Sequence, residues 1–298
     1  MTSKILFDPP PDFSFRSTVY SHGWCELAPF ALDVENWRLS YVFHGRNDDA
    51  IPAIIYEEND SIRIEHSGTR ADEPKILADT RHLLRLDDDL TGLYDLVRGH
   101  DRLHWVGEKR AGRLLRSATV WEDLVKTICT TNCSWGLTKI MVTNLVEKLG
   151  ATAGVDGTKA AGLRAFPTAE SMAAMNEDFF RNEIRAGYRS PYFVELAEAV
   201  ASGKLDPQNW LTSGLSTSEL KKEMKKVKGV GDYAAENLLK LVGRYDGLAL
   251  DSWLRSQFYK NHNNAKTCKD SKIERHYKKF GPWRGLVIWC DMTEKWIN

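Results

Sequence analysis

At 298 residues the chain can bury a sizeable core, as one large domain or about two to three modest ones. Its 42% hydrophobic and 28% charged residues are those of an ordinary globular protein, and no stretch approaches the roughly 20 apolar residues of a membrane helix, so a soluble chain with no membrane partner is expected. A formal net charge of +0 disfavours a polyanionic partner only on average: from Ala201 onward 18 Lys and Arg face 11 Asp and Glu, about +7, leaving about −7 for the rest, and phosphate responds to the local field.

Cys25, Cys129, Cys133, Cys268 and Cys290 are odd in number and scattered, with no zinc or iron–sulfur spacing, which suits a reducing cytoplasm. The opening MTSKILFDPPPDFSF lacks the apolar run of a secretion signal. Ten Trp is a high count; indoles either fill a core or stack on flat ligands, and composition does not choose.

The chain changes character near residue 85, which predicts an N-terminal antiparallel β domain over 1–85 and a mainly helical body over 86–298, an α+β fold. Before residue 85, short apolar runs alternate with turns. Arg38–Phe43 reads as a strand, and Ala53–Tyr56 and Ser61–His66 flank EEND as a hairpin. The sheet is expected over about residues 15–80, and Pro9–Pro11 excludes regular structure there. Leu90, Leu93, Tyr94 and Val97 then repeat at helical spacing. In SATVWEDLVKTICTTN, Ser117 and Thr119 are candidate N-caps and Glu122 completes a capping box, with Trp121, Leu124, Val125 and Ile128 on the apolar face. Leu137–Leu149 is the next helix. Ala151–Ala165 reads as a loop, and a Thr168-capped helix follows Pro167. Arg189–Ala201, Thr217–Val227, Asp232–Gly243 and Ser252–Tyr259 are further helices. The polar stretch HNNAKTCKD then precedes a last helix ending in RGLVIWCDM.

The most informative segment is LKKEMKKVKGVGDYAAENLLKLVGRYDGLALDSWLR. A lysine-rich helix runs into Gly229-Val230-Gly231, and a second helix opens with Asp232 as its expected N-cap. Two glycines around one small apolar residue allow a tight turn that points free backbone N–H groups outward, beside the positive end of the second helix. That is an anion site fit for a phosphate, and it positions without reading sequence.

Helix, Gly-Val-Gly turn and helix, followed 20 residues on by an aspartate at the end of the apolar LALD, resembles the helix-hairpin-helix DNA glycosylase superfamily. The residues that carry the resemblance are Val227, Gly229, Val230, Gly231, Ala235, Asp251 and Arg255, with the hairpin over 218–243. LLRSATVWEDLVKTICTTNCS looks like the helix and loop that the superfamily pushes into the DNA stack. It is closest to the 8-oxoguanine branch, which places Asn132 in the gap. IRAGYRSPYFVELAEAV looks like the same branch's glycine-tyrosine-arginine turn, giving Tyr188 and Arg189. The early sheet fits both that branch and the bacterial 3-methyladenine branch. The resemblance implies double-stranded DNA with a damaged base as partner, a monomer, and a cytoplasmic, nucleoid-associated location in a bacterium or a nuclear one in a eukaryote. It implies DNA contacts from Lys228, Gly229, Val230 and Gly231, and Asp251 as the catalytic carboxylate.

Departures from the pattern shape the expected chemistry. Bifunctional 8-oxoguanine enzymes carry a lysine two residues after the Gly-Val-Gly; here the position is Tyr233, which cannot form a Schiff base, so monofunctional hydrolysis is expected. The branch's N-terminal lesion-sensing segment is not found, LDVENWRLSYVF being the nearest run. By spacing after Gly281-Pro282 the base-holding positions of the last helix fall on Ile288 and Met292, which do not match. Asn237, one turn after Tyr233, would face the pocket. Alkylated or deaminated purines are therefore at least as well supported as oxidised ones. No catalytic cofactor is implied. The resemblance adds a sodium, potassium or calcium ion held by the backbone carbonyls of Lys225, Val227 and Val230 as a binding aid.

Plainer readings stand beside these. Asp251 could merely cap the following helix, the lysines at 221, 222, 225, 226 and 228 could be a solvated face, and Tyr188 and Arg189 could be packing and surface charge. The competing functions are a non-catalytic helix-hairpin-helix DNA binder and an 8-oxoguanine glycosylase with weak lyase activity from another amine.

Overall fold

The computed structural model describes residues 3–154 and 162–297. The middle of the expected Ala151–Ala165 loop, residues 155–161, lies outside them; its ends are pinned by an antiparallel bridge between Thr152 and Arg164.

The N-terminal layer is one antiparallel sheet of β1 (Ser3–Phe7), β2 (Ala31–Asp33), β3 (Arg38–His44), β4 (Ala50–Glu58) and β5 (Ser61–His66), in the spatial order β1-β5-β4-β3-β2. Its register aligns Ile5, Ile64, Ile55 and Leu39 across four strands on one face. The last three are fully buried, which is what period-2 alternation against a core requires. The expected hairpin is present. Asn59 and Asp60 both take positive φ (52° and 63°), the conformation a type I′ turn demands and that Asn and Asp tolerate best.

The expected sheet boundaries are wrong at both ends. β1 lies before the prolines, and two helices interrupt the interval: α1 (Phe15–Val19) and α2 (Glu73–Leu84). The body then runs through α3 (Thr91–Val97), α4 (His104–Glu108), α5 (Val120–Thr130), α6 (Trp135–Leu149), α7 (Ala169–Ala173), α8 (Glu177–Asn182), α9 (Ser190–Ala201), α10 (Thr217–Met224), α11 (Asp232–Leu241), α12 (Ser252–His262), α13 (Asp270–Tyr277) and α14 (Arg284–Ile297). The α+β class holds: a sheet first, then a mostly helical body. One continuous apolar core reaches from Phe13 to Met292.

A buried polar triad ties the sheet to α5. The Tyr41 hydroxyl donates to Glu122 at 2.6 Å and Lys126 Nζ donates to its other oxygen at 2.6 Å, with Lys126 fully buried 4.7 Å over the Phe30 ring. This explains why the expected capping box is only half made. Thr119 accepts from Glu122 N–H, but the Glu122 carboxylate is claimed by Tyr41 and Lys126 and does not return to the cap. The complete box is at α10, between Ser216 and Glu219.

Two histidines are held neutral by burial. His22, bonded through Nε2 to the Leu115 carbonyl at 2.7 Å, is lowered to about 4 and His82 to about 3, desolvation being the main cause in each. Unfolded histidine titrates near 6.5. Below that pH the unfolded chain takes up protons that these two sites refuse, so stability present above pH 6.5 is lost progressively as pH falls toward 4. The urea midpoint is therefore expected to drop between pH 7 and pH 5, and a His22→Gln/His82→Gln double variant to flatten that drop. A midpoint constant across the interval would contradict it.

Candidate active site

The hairpin is built as its glycines require. Gly229 has φ +89°, and a Cβ there would lie 3.0 Å from Tyr192 Cδ2, so neither backbone nor space admits a side chain. Val230 is buried and anchors the turn, its N–H donating to the Val227 carbonyl at 3.1 Å. Gly231 is exposed with nothing within 4 Å of a would-be Cβ, so a ligand can approach its backbone closely. The N-cap of α11 is Gly231, not Asp232, and no side chain caps it. Asp232 is instead the first helical residue, its carboxylate 3.0 Å from Lys225 and 3.1 Å from Lys221, which lower its pKa. With no cap, the N–H groups of Gly229, Gly231, Asp232 and Tyr233 find no acceptor among the described residues. They form an electropositive lip.

Most hairpin lysines are paired. Lys221 reaches Glu236 at 2.6 Å, Lys226 reaches Glu223 at 2.7 Å, and Lys228 pairs with Glu195. Exposed pairs of this kind contribute little and exchange readily for a stronger anion.

From α11 the chain returns through residues 244–250 to Asp251, and one side chain sets that path. Glu236 takes Lys221 of α10 on one oxygen and the Ala249 N–H on the other, at 2.5 Å. Ala249 needs the help: it is buried with φ +51°. The segment crosses the start of α14 so closely that a Cβ on Gly285 would fall 1.9 Å from the Gly247 carbonyl oxygen. Asp251 then caps α12, accepting from Leu254 N–H at 2.7 Å through Oδ1; its other oxygen has no partner among the described residues. Arg255, one of the residues that carried the resemblance, makes a bidentate pair with Asp270 rather than touching Asp251.

Asp251 opens into a cleft of about 610 Å³ shared with Tyr233 and Asn237. Burial pushes the Tyr233 phenol up to about 12, with Asp251 adding to the effect, so it is a neutral hydroxyl. Asn237 donates to the Tyr233 carbonyl at 3.0 Å. Ile288 and Met292 do not join them. Ile288 is fully buried and Met292 nearly so, because the phase of α14 turns them into the core and brings Trp289 to the cleft instead. Asn132 is exposed at the α5–α6 turn with φ +47°. Tyr188 stands beside it, about half exposed, its hydroxyl 3.2 Å from the Thr131 carbonyl. Arg189 is only 3% exposed and donates to the Ile128 carbonyl at 3.1 Å. Its expected contact with an external partner is corrected: it holds the turn that presents Asn132.

Several cleft residues escaped the sequence. Trp24, Trp135, Trp253, Trp289 and Trp296 line it. Three indole N–H groups are fixed, Trp24 to Asp123 at 2.7 Å, Trp289 to the Ser21 carbonyl at 2.9 Å and Trp135 to Glu26 at 3.0 Å. Trp135 also needs Gly23, whose Cβ would lie 2.5 Å from its ring. The high tryptophan count was the one available signal. Lys240 is the other omission; a lone lysine inside the apolar LLKLV, seven residues after Tyr233, was visible and unused.

No family model matches the chain, and no curated protein sequence matches it. Solved structures do. 3-Methyladenine DNA-glycosylase from Archaeoglobus fulgidus superposes with a TM-score of 0.77 at 16% identity, covering 98% of each chain. MBOgg1 in complex with a low-affinity DNA ligand gives 0.76 at 20% identity, over 99% of this chain and 98% of that one. Clostridium acetobutylicum 8-oxoguanine glycosylase/lyase, bound to double-stranded DNA with cytosine opposite 8-oxoguanine, gives 0.75 at 19% identity, over 99% and 97%. The chain has the fold of these solved structures. The shared architecture spans both the sheet and the helical body, so the N-terminal part, which the motifs matched only loosely, belongs to it as fully as the hairpin.

In this fold the Glu236 clamp carries the path from turn to carboxylate. Glu236→Ala strands the buried Ala249 N–H and removes the Lys221 pair, and is expected to lower unfolding free energy by about 1–3 kcal/mol. A loss under about 0.5 kcal/mol in urea titrations would refute the role.

Proposed function

We propose that this protein is a monofunctional DNA glycosylase of base-excision repair, hydrolysing the N-glycosidic bond of a damaged purine turned out of double-stranded DNA. The observation that carries the reading is the placement of Asp251, one oxygen fixed by its helix cap and the other free, in an indole-lined cleft next to the uncapped lip of the hairpin. The fold shared with the solved glycosylases supports it.

The chemistry follows from those groups. The free N–H groups of Gly229, Gly231 and Asp232 take a backbone phosphate beside the lesion, which seats the sugar at the cleft mouth. The base leaves the stack at a cost of a few kcal/mol and enters between indoles, while Asn132 and Tyr188 fill the gap. As the glycosidic bond breaks, positive charge builds on the sugar; the free Asp251 oxygen stabilises it and orients the attacking water. Tyr233, a neutral phenol, offers no amine, so water displaces the base and an abasic site remains. The hairpin carbonyls also suit the expected ion. That of Val227 already accepts one N–H, while those of Lys225 and Val230 take no donor among the described residues, leaving room for a sodium, potassium or calcium ion bridging to phosphate. It would aid binding only. The working form is a monomer.

Asp251→Asn tests the reading cleanly, because Asn caps a helix as well as Asp does and the fold should persist. Base release from lesion-bearing duplexes, read as alkali-labile strand breaks, is expected to fall by at least about 100-fold with DNA affinity retained. Equal release by the variant, or release from no alkylated, oxidised or deaminated substrate, would favour a DNA binder without catalysis. Gly231→Val probes the grip. Its φ of −85° admits a side chain and the space is open, so folding should survive while the branched methyls block the phosphate. The Kd for duplex is expected to rise about tenfold or more, a loss of the order of one charge-assisted hydrogen bond; an unchanged Kd would overturn the phosphate site.

A further inference from the structure

Lys240 lies on the same face of α11 as Tyr233 and Asn237, seven and three residues on, and is 2% exposed at the cleft wall. Among the described residues its Nζ makes one hydrogen bond, to the Leu248 carbonyl at 3.2 Å, and it sits 6.0 Å over the Trp289 ring. An ammonium has three donors, so two are left over. Glu236 on its own helix, Asp251 at the start of α12 and Cys290 on α14 act to keep the proton, and His22 faces it from the loop after α1. Burial nonetheless lowers its pKa to about 8, which still leaves a cation at neutral pH. Across α5, Thr127 lines the same cleft, is 1% exposed, and its hydroxyl has no partner among the described residues. Donors left unused in a dry place are costly unless something comes to meet them.

Resting on the reading of this cleft as the seat of an extruded base, we propose that Lys240 and Thr127 form a polar pole selecting an uncharged purine with a ring carbonyl, such as a deaminated or oxidised base, over a cationic ring-alkylated one. The other indoles lining the cleft offer flat apolar faces that any purine can meet, and these do not discriminate. The edge does. A carbonyl on a neutral ring accepts from the ammonium and hydroxyl, whereas a cationic ring, even one that keeps a carbonyl as 7-methylguanine does, is brought against like charge in a low-dielectric site. The indole face that would otherwise welcome a cation is already occupied by the Lys240 ammonium.

The test uses the full-length protein and duplexes bearing a single hypoxanthine, 8-oxoguanine or 7-methylguanine, with base release measured in single turnovers. Lys240→Met keeps the stem and removes the charge, and because a buried cation is lost the variant is expected to fold at least as well as the parent. Thr127→Val is a second, nearly isosteric probe. The native protein should release neutral hypoxanthine or 8-oxoguanine faster than cationic 7-methylguanine. Lys240→Met should slow release of hypoxanthine and 8-oxoguanine by about tenfold or more, the worth of one charged hydrogen bond, and leave cationic 7-methylguanine unchanged or faster. Thr127→Val should shift the ratio the same way by less. A native preference for the cationic base, equal slowing of all substrates in Lys240→Met, or a borohydride-trapped adduct that Lys240→Met abolishes would overturn the proposal. If some lesion is released without discrimination, this inference alone fails; if no lesion is released by native protein, the glycosylase reading fails with it.

Discussion

The Glu236 carboxylate must satisfy two partners at once, the ammonium of Lys221 and the N–H of Ala249, and the geometry of the site hangs on that double demand. One oxygen binds the hairpin's first helix, the other binds the segment that delivers Asp251, and the residue itself belongs to the hairpin's second helix. Turn and carboxylate therefore cannot drift independently. The far end of the same helix is held as firmly. Arg85 donates to the Lys240 and Leu241 carbonyls at 3.0 and 3.3 Å, and Arg116 donates to that of Leu241, filling the acceptors a helix C-terminus leaves open. Both guanidiniums are buried, and Asp88 and Tyr245 compensate them.

Such buried charge is a poor source of stability, since desolvation consumes much of the Coulomb gain. What it supplies here is position. An apolar contact would let α11 slide or rotate by fractions of an ångström; an ion bonded in fixed directions does not. The Tyr41–Glu122–Lys126 triad acts likewise on α5, whose far end carries the Asn132 turn. Arg189 locks that turn from the other side. The sheet thus reaches the cleft through α5, while the hairpin reaches it through α11.

How much of this the sequence disclosed depended on how local each determinant is. The Gly229-Val230-Gly231 turn was legible because it is a backbone requirement written in three adjacent residues, and the β4–β5 hairpin because Asn59-Asp60 fits its turn alone. That Asp251 would share a cleft with Tyr233 was legible by its distance from that turn. What failed was non-local. The cap of α11 was misassigned because Asp232 is drawn to Lys225 and Lys221, charges from the preceding helix. Glu122 was read as half of a capping box when Tyr41, 81 residues away, had a prior claim. Ile288 and Met292 were placed by counting from Gly281-Pro282, yet Gly281 adopts φ 54° and ψ −129° and breaks the helical phase, so the count carried no register. Arg189 was taken for an outward reader because nothing in its neighbours reveals that it packs beneath the 128–131 turn. α2 was lost because its apolar residues are sparse and it follows a convincing strand.

The plain and the chemical readings of Asp251 also cease to compete once the geometry is known. A carboxylate free on both oxygens would rotate among several orientations and would have to surrender that freedom as charge developed nearby. Spending Oδ1 on the Leu254 N–H fixes the plane of the group and leaves the second oxygen without a partner among the described residues, open to a sugar or a water in the proposed reaction. A helix cap is thus the means by which a single side chain becomes preorganised, in the sense that matters for stabilising a charge that exists only at the transition state. The same economy explains the bare N-terminus of α11. At the cleft the Asp251 side chain caps α12, and at the hairpin, in the proposed reading, the cap of α11 is left for a phosphate to provide.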